Sequence, residues 1–311
     1  MPITAAIAPI FVLIILGYAL RRGGIPSQDF WNLNDRLVYF LLMPAVFFEQ
    51  ISTADLSGAA LGGYSAMLYG GFAVAMFAGL LAARGLSCDP ASATSVVQGA
   101  ARFNTFIALA VAEALFGAPG LQMAVLGAAI LVPGVNVAVV AMFALMLPSG
   151  TGRIDLGGLA RTLLGNPLIL AILAGLGWNA AGLGAWPVFH PTLAILGDAA
   201  LPIMLLSVGA NLKLRGLQAE RAPLAAAIAC KLLLFPLVVL GLALLLGLDP
   251  LQAQVAVIFA ALPTGVAAYT LARQLGGDAT LLASVITLST LLSFATMPAT
   301  LWLTGLLFPI S

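Results

Sequence analysis

Apolar residues run through this chain in long blocks, separated by short stretches rich in Gly, Pro, Asp and basic residues. Ten blocks are predicted as membrane-spanning helices: residues 3–20, 33–51, 59–83, 92–116, 121–147, 163–183, 191–211, 222–247, 251–273 and 279–308. A helix needs about 20 apolar residues to cross the hydrocarbon core, and longer blocks must tilt or break. The pattern therefore predicts an all-α membrane protein with short connections.

The connections are asymmetric in charge. Arg21 and Arg22 follow the first block, Arg84 the third, Arg153 and Arg161 the fifth, Lys213, Arg215 and Arg221 the seventh, and Arg273 the ninth. Basic connections stay cytoplasmic, which puts both termini outside the cytoplasm. The first block lacks a preceding basic residue and reads as a retained span, not a cleaved signal.

Halfway along, the pattern repeats. An offset of 158 pairs Pro9 with Pro167, Gly17 with Gly175, Gly24 with Gly182 and Pro44 with Pro202. It also pairs the first block with the sixth. Five is odd, so the second set of five is inverted: residues 1–150 form one five-helix repeat and 151–311 the other. Inverted repeats of this kind mark secondary transporters, with sites at the midplane where interrupted helices meet.

Two blocks are interrupted at matching depth. Block four carries Arg102, Phe103, Asn104 and Thr105 at its midpoint, and block nine, its repeat partner, carries Leu262, Pro263, Thr264 and Gly265. Proline removes a backbone donor and glycine loosens the chain, so helices four and nine are predicted to break and cross. Half-helix N-termini attract anions, and a guanidinium grips a carboxylate with two bonds. Arginine at bilayer depth costs about 2.5–3.5 kcal/mol on insertion scales, a penalty that usually accompanies a role. The alternative is structural, with Arg102 neutralising Glu113 or Asp198 and Pro263 kinking a helix.

Composition narrows the class. The 311 residues are 62% hydrophobic and 7% charged, with mean hydropathy +1.13; soluble domains carry about a quarter charged residues. A net charge of +1 gives no reason to expect nucleic acid. Cys88 and Cys230 are not expected to pair. There is no His-Glu-x-x-His pair, the sole His190 falls in a connection, and no metal site is expected, so an intramembrane enzyme is the weaker class.

Other polar residues fall inside blocks. Lys231 reads as a contact for a second carboxylate or, more commonly, as half of an internal ion pair. Asp198 and Glu113 are the candidates for carrying a coupling proton or sodium ion, with structural pairing and snorkelling as their alternatives. Asn136, beside Pro133 and Gly134, either faces the crossing or joins helices. Trp31, Tyr18 and Tyr39 read as interfacial aromatics, and Glu49, Gln50 and Asp55 as an outer boundary.

Several segments together resemble the bacterial branch of the auxin efflux carrier family, which includes malonate-type carriers and is distantly related to plant auxin exporters. They are Arg102 to Ile107 (RFNTFI), Asn166 to Ile169 (NPLI), Leu201-Pro202 with Leu205 to Leu212 (LLSVGANL), Leu262 to Gly265 (LPTG) through Leu271 to Arg273, Gly276 to Asp278 (GGD) and Ser289 to Ser293 (STLLS). The resemblance implies a scaffold of spans one, two, six and seven, a transport domain of spans three to five and eight to ten, and dimers through the scaffold. It also implies elevator-like efflux or exchange of a small organic anion such as malonate across a bacterial inner membrane, without a cofactor. Ile107 to Ala110 departs from the relatives, many of which place a proline there.

The reading is thus a carboxylate transporter. Arg102, Asn104 and Thr105 hold the anion, Pro263, Thr264 and Gly265 shape the opposite wall, and Thr264 offers a hydroxyl. Lys231 and Asn136 are further candidates. A proton- or sodium-coupled carrier of another solute is the alternative.

Overall fold

The structure, a computed structural model, describes residues 3–54, 60–147, 165–212 and 219–310. Arg153, Arg161, Lys213, Arg215 and Asp55 lie outside the described residues. Within them every regular element is helical.

Helix α1 spans Ile3–Arg22. α2 (Gln28–Leu37) continues through a π-turn at Val38–Leu42 into α3 (Met43–Ser52). α4 is Ala60–Gly85, α5 is Pro90–Ala101 and α6 is Thr105–Met146. α7 (Pro167–Ala180) and α8 (Phe189–Ala210) follow. α9 (Arg221–Ala229) passes through a second π-turn at Cys230–Leu234 into α10 (Phe235–Leu246). α11 is Pro250–Ala261, α12 is Ala267–Leu275 and α13 is Ala279–Leu307.

Among the described residues, six helical stretches are long and apolar enough to cross a membrane. They are Ile3–Arg22, Gly62–Gly85, Pro90–Met146, Phe189–Ala210, Arg221–Leu246 and Ala279–Leu307; Pro167–Ala180 and Pro250–Ala261 are shorter apolar helices. Blocks four and five meet inside α6, at Gly117, where φ 63° and ψ −150° suit only glycine.

The Asp-Pro and Asn-Pro pairs of the connections are helix starts. Asp89, Asn166 and Asp249 cap α5, α7 and α11, each with proline as the first helical residue, where a missing N–H does no harm. Gly247 and Gly276 end α10 and α12 in the left-handed conformation.

The fold divides into two compact units. One takes the described residues of Met1–Gly58, Leu109–Pro133 and Leu156–Asn211, the other those of Ala59–Ala108, Gly134–Asp155 and Leu212–Ser311. In the first unit α1 packs along α8 and α3 along α7. The α1–α8 contact is main chain on main chain: a Cβ at Gly209 would sit 1.8 Å from Ile14 O, and one at Gly17 would sit 2.0 Å from Leu206 O. The LLSVGANL segment ends in a polar cluster: Asn211 accepts from Arg21 Nη1 (2.9 Å) and donates to Asp35 Oδ2 (3.0 Å), while Asn34 donates to Ser207 Oγ (2.6 Å). Trp31 is a correction to the sequence expectation. It is 2% exposed and its indole donates to Ile25 O, so it is a core residue and not an interfacial one.

In the second unit the short helices α5 and α11 are buried on every side along most of their length. Helices enclosed all round lie inside a bundle. Along α13 the hydroxyls of Ser284, Thr287, Ser289, Thr290, Ser293, Thr300 and Thr304 donate back to carbonyls three or four residues earlier, which makes the polar STLLS segment tolerable at membrane depth.

Candidate functional site

Both predicted breaks are present, and both lie in the second unit. α5 stops at Ala101, where Arg102 turns to extended backbone (φ −72°, ψ 150°), and α6 restarts at Thr105. Leu262 turns the same way (φ −66°, ψ 153°) after α11, and α12 begins at Ala267. The proline many relatives carry after the asparagine is absent, yet the first break forms. Asn104 replaces the missing helical bonds by capping α6, its Oδ1 accepting from the N–H groups of Phe106 (3.1 Å) and Ile107 (3.3 Å).

The two extended segments meet. Asn104 N donates to Pro263 O at 3.0 Å. Gly265 lies so close that a Cβ there would come within 2.5 Å of Phe103 O. Thr264 is fully buried and ties the crossing to its neighbours: its N–H donates to Ser289 Oγ (3.2 Å) and its hydroxyl to Gly99 O (2.8 Å). The hydroxyl expected to face a ligand is therefore given to the end of α5. Ser289 was not singled out from the sequence, because its partnership with Thr264 arises only when α13 packs beside the break.

Arg102 is half-buried, and Nη2 donates to Asn136 Oδ1 at 3.4 Å. Nη1 is shut away from solvent without a hydrogen-bond partner. Asn136 is thus at the crossing, next to Gly134, whose backbone would place a Cβ 2.6 Å from the Tyr69 hydroxyl. Glu113 and Asp198, offered as partners of Arg102, belong to the first unit, where they line a cleft with Glu49 and Gln50. Among the described residues the guanidinium is hydrogen-bonded to Asn136 and to no carboxylate.

Gln98, in the last turn of α5 and four residues before Arg102, escaped notice in the sequence. It is fully buried and neither Nε2 nor Oε1 has a partner. Buried polar atoms are almost always satisfied, and three that are not lie within four residues of each other at the C-terminal end of α5. The spacing of four residues between a glutamine and an arginine in an apolar block was the available signal.

Lys231 is fully enclosed and bonds to main chain: Nζ donates to Ala260 O (3.0 Å) and Phe259 O (3.3 Å). The expected ion pair is replaced by carbonyls. The GGD segment proves to be architectural: Gly276 ends α12, and Asp278 caps α13 through Leu281 N (2.9 Å) and accepts from Ser92 Oγ (3.2 Å) at the start of α5.

Residues 156–303 match the family model described as membrane transport protein. The chain is similar to a protein of Rhizobium meliloti (strain 1021) named "Putative malonate transporter", with 30% identity covering 97% of this chain and 95% of that one. It is also similar to an "Uncharacterized transporter" of Methanothermobacter thermautotrophicus, with 28% identity covering 96% and 97% of the two chains.

Proposed function

This chain belongs to the membrane transport protein family, that of the auxin efflux carriers, and from that premise we propose that it is a secondary transporter of a small organic anion such as malonate. The observation that carries this reading is Arg102 Nη1, a buried cationic donor without a partner where two broken helices cross. An unpaired charge-bearing donor is costly to bury, and a carboxylate would satisfy it.

The neighbouring groups support the same chemistry. Asn104 spends its carbonyl oxygen on capping α6, and its amide nitrogen has no acceptor among the described residues, so it is a donor to ligand. Thr105 is the first residue of α6, beside it. The N-terminus of α12, at Ala267, has no side-chain cap, and its partial positive charge favours an anion. Gln98 supplies both a donor and an acceptor. Pro263 and Gly265 form the far wall, and Thr264 braces it.

A ten-helix inverted repeat is part of the proposal. It is supported by the exchange symmetry of the first unit, where α1 on α8 corresponds to α7 on α3, and by Gly24 and Gly182, which hold positive φ (75° and 65°) at the same offset. Elevator-like exchange would use the second unit as the moving part and the scaffold helices as the dimer contact. A second reading, ion coupling, draws on the cleft shared by Glu49, Glu113 and Asp198.

The test is malonate uptake into proteoliposomes. Arg102→Ala is expected to lower uptake on the order of tenfold or more, the loss of one charge-assisted hydrogen bond of about 1.5–3 kcal/mol. Unchanged uptake by a folded Arg102→Ala protein would remove the anion clamp. Coupling is tested by imposing pH and sodium gradients on Asp198→Asn; a gradient response identical to that of the parent would discard the acidic cleft.

A further inference from the structure

The surroundings of Lys231 follow from the break in α11. In an uninterrupted helix Phe259 O would accept from residue 263 and Ala260 O from residue 264. Residue 263 is proline and has no N–H, and the N–H of Thr264 is turned to Ser289 Oγ. Both carbonyls are orphaned at the C-terminal end of a half-helix, where the helix dipole concentrates partial negative charge. Lys231 Nζ takes both, at 3.3 and 3.0 Å, and lies 4.3 Å from the centroid of the Phe235 ring. The lysine projects from the π-turn Cys230–Leu234, a widened turn of the kind frequent at functional sites.

Every one of these neighbours accepts. Two carbonyl oxygens and a ring face match the three protons of an ammonium group, whereas the lone pair of a neutral amine would meet no donor among them. Carbonyls at the C-terminal end of a broken membrane helix are also the ligands with which transporters hold a coupling cation. We infer that Lys231 is a covalently tethered cation occupying the place of a coupling ion at the α11 break, so that this carrier needs no sodium or potassium there. Removing the ammonium is expected to expose a carbonyl site that a free monovalent cation fills. The inference deepens the transporter reading by assigning the cation side of the same crossing.

The test reads the protein's stability directly, so it does not depend on which anion is carried. The purified full chain is melted in sodium, potassium, lithium and choline chloride at matched ionic strength. The parent protein is expected to melt at the same temperature in all four. Lys231→Ser is expected to melt lower in choline and to recover saturably with one of the small cations, since ligand binding raises apparent stability. Lys231→Met, which fills the space without charge, is expected to show no such recovery. Equal destabilisation of Lys231→Ser in every salt would overturn the inference. So would a parent protein whose melting temperature rises saturably with sodium or potassium and keeps that rise in Asp198→Asn, a measurement that stands even if Lys231→Ser does not fold. Failure of malonate transport with salt-dependent recovery intact would reject the anion reading and leave the tethered cation standing.

Discussion

At the scale of single residues, the two embedded cations have opposite fates. Arg102 keeps a donor without a partner, whereas Lys231 is fully engaged by main chain. Charge alone could not separate them, since either side chain suits a carboxylate. What separates them is what each meets: Lys231 Nζ takes Phe259 O and Ala260 O, left free at Pro263, whereas Arg102 meets only Asn136 Oδ1. The glycines at close contacts are equally residue-specific. Gly265→Ala would drive a methyl group into Phe103 O, and the expected outcome is loss of uptake in proteoliposomes together with a lower melting temperature. Gly209→Ala would meet Ile14 O in the first unit, and overpacking of this kind costs about 1–3 kcal/mol. Its expected signature is a lower melting temperature in detergent, with near-normal uptake by the protein that remains folded.

At the scale of elements, helix ends were the most legible feature. Asp89-Pro90, Asn166-Pro167 and Asp249-Pro250 each begin a helix by local chemistry that needs no partner. The break at Pro263 was legible for the same reason. The break at Arg102 was legible as a polar interruption, although its mechanism, a cap by Asn104 together with Asn104 N bonding to Pro263 O, required the second segment to be in place. Replacing Asp89 by Ala is expected to destabilise the protein by about 0.5–2 kcal/mol, measured by denaturant titration or thermal melting. The nearby Ser92 side chain, with the N–H groups of Ser92 and Ala91 that donate to Asp89 Oδ1, holds the Asp89 carboxyl below its ordinary 3.8. Its contribution is therefore complete above that ordinary value and is lost as pH falls through the depressed folded value. Asp89→Asn, which still caps, is expected to show a shallower loss of stability on acidification below about pH 4.

At the scale of the whole molecule, the chain is an integral membrane transporter, and large apolar residues such as Val12, Leu237, Leu245 and Trp302 are well exposed on its surface. The orientation proposed from the basic connections predicts that Cys88, partly exposed in the connection after α4, faces the cytoplasm. In a Cys230→Ala background, a membrane-impermeant maleimide should label Cys88 in inside-out vesicles and not in intact cells; labelling of intact cells would reverse the topology. The two compact units are each stitched from segments far apart in the chain. This interleaving is why Glu113 and Asp198, plausible partners for Arg102 along the sequence, gather instead around a cleft with Glu49.

By itself the sequence determined what depends on solvent and on neighbours along the chain: membrane residence, helical blocks, their caps, and the two points where helices fail. Lipid offers no hydrogen bonds, so apolar length and backbone interruption are sufficient to specify those features. Only the tertiary structure decided which polar groups are satisfied. Whether Arg102, Gln98, Thr264 and Lys231 keep a free donor is set by segments tens of residues or more away, through contacts that have no local signature until the bundle closes around them.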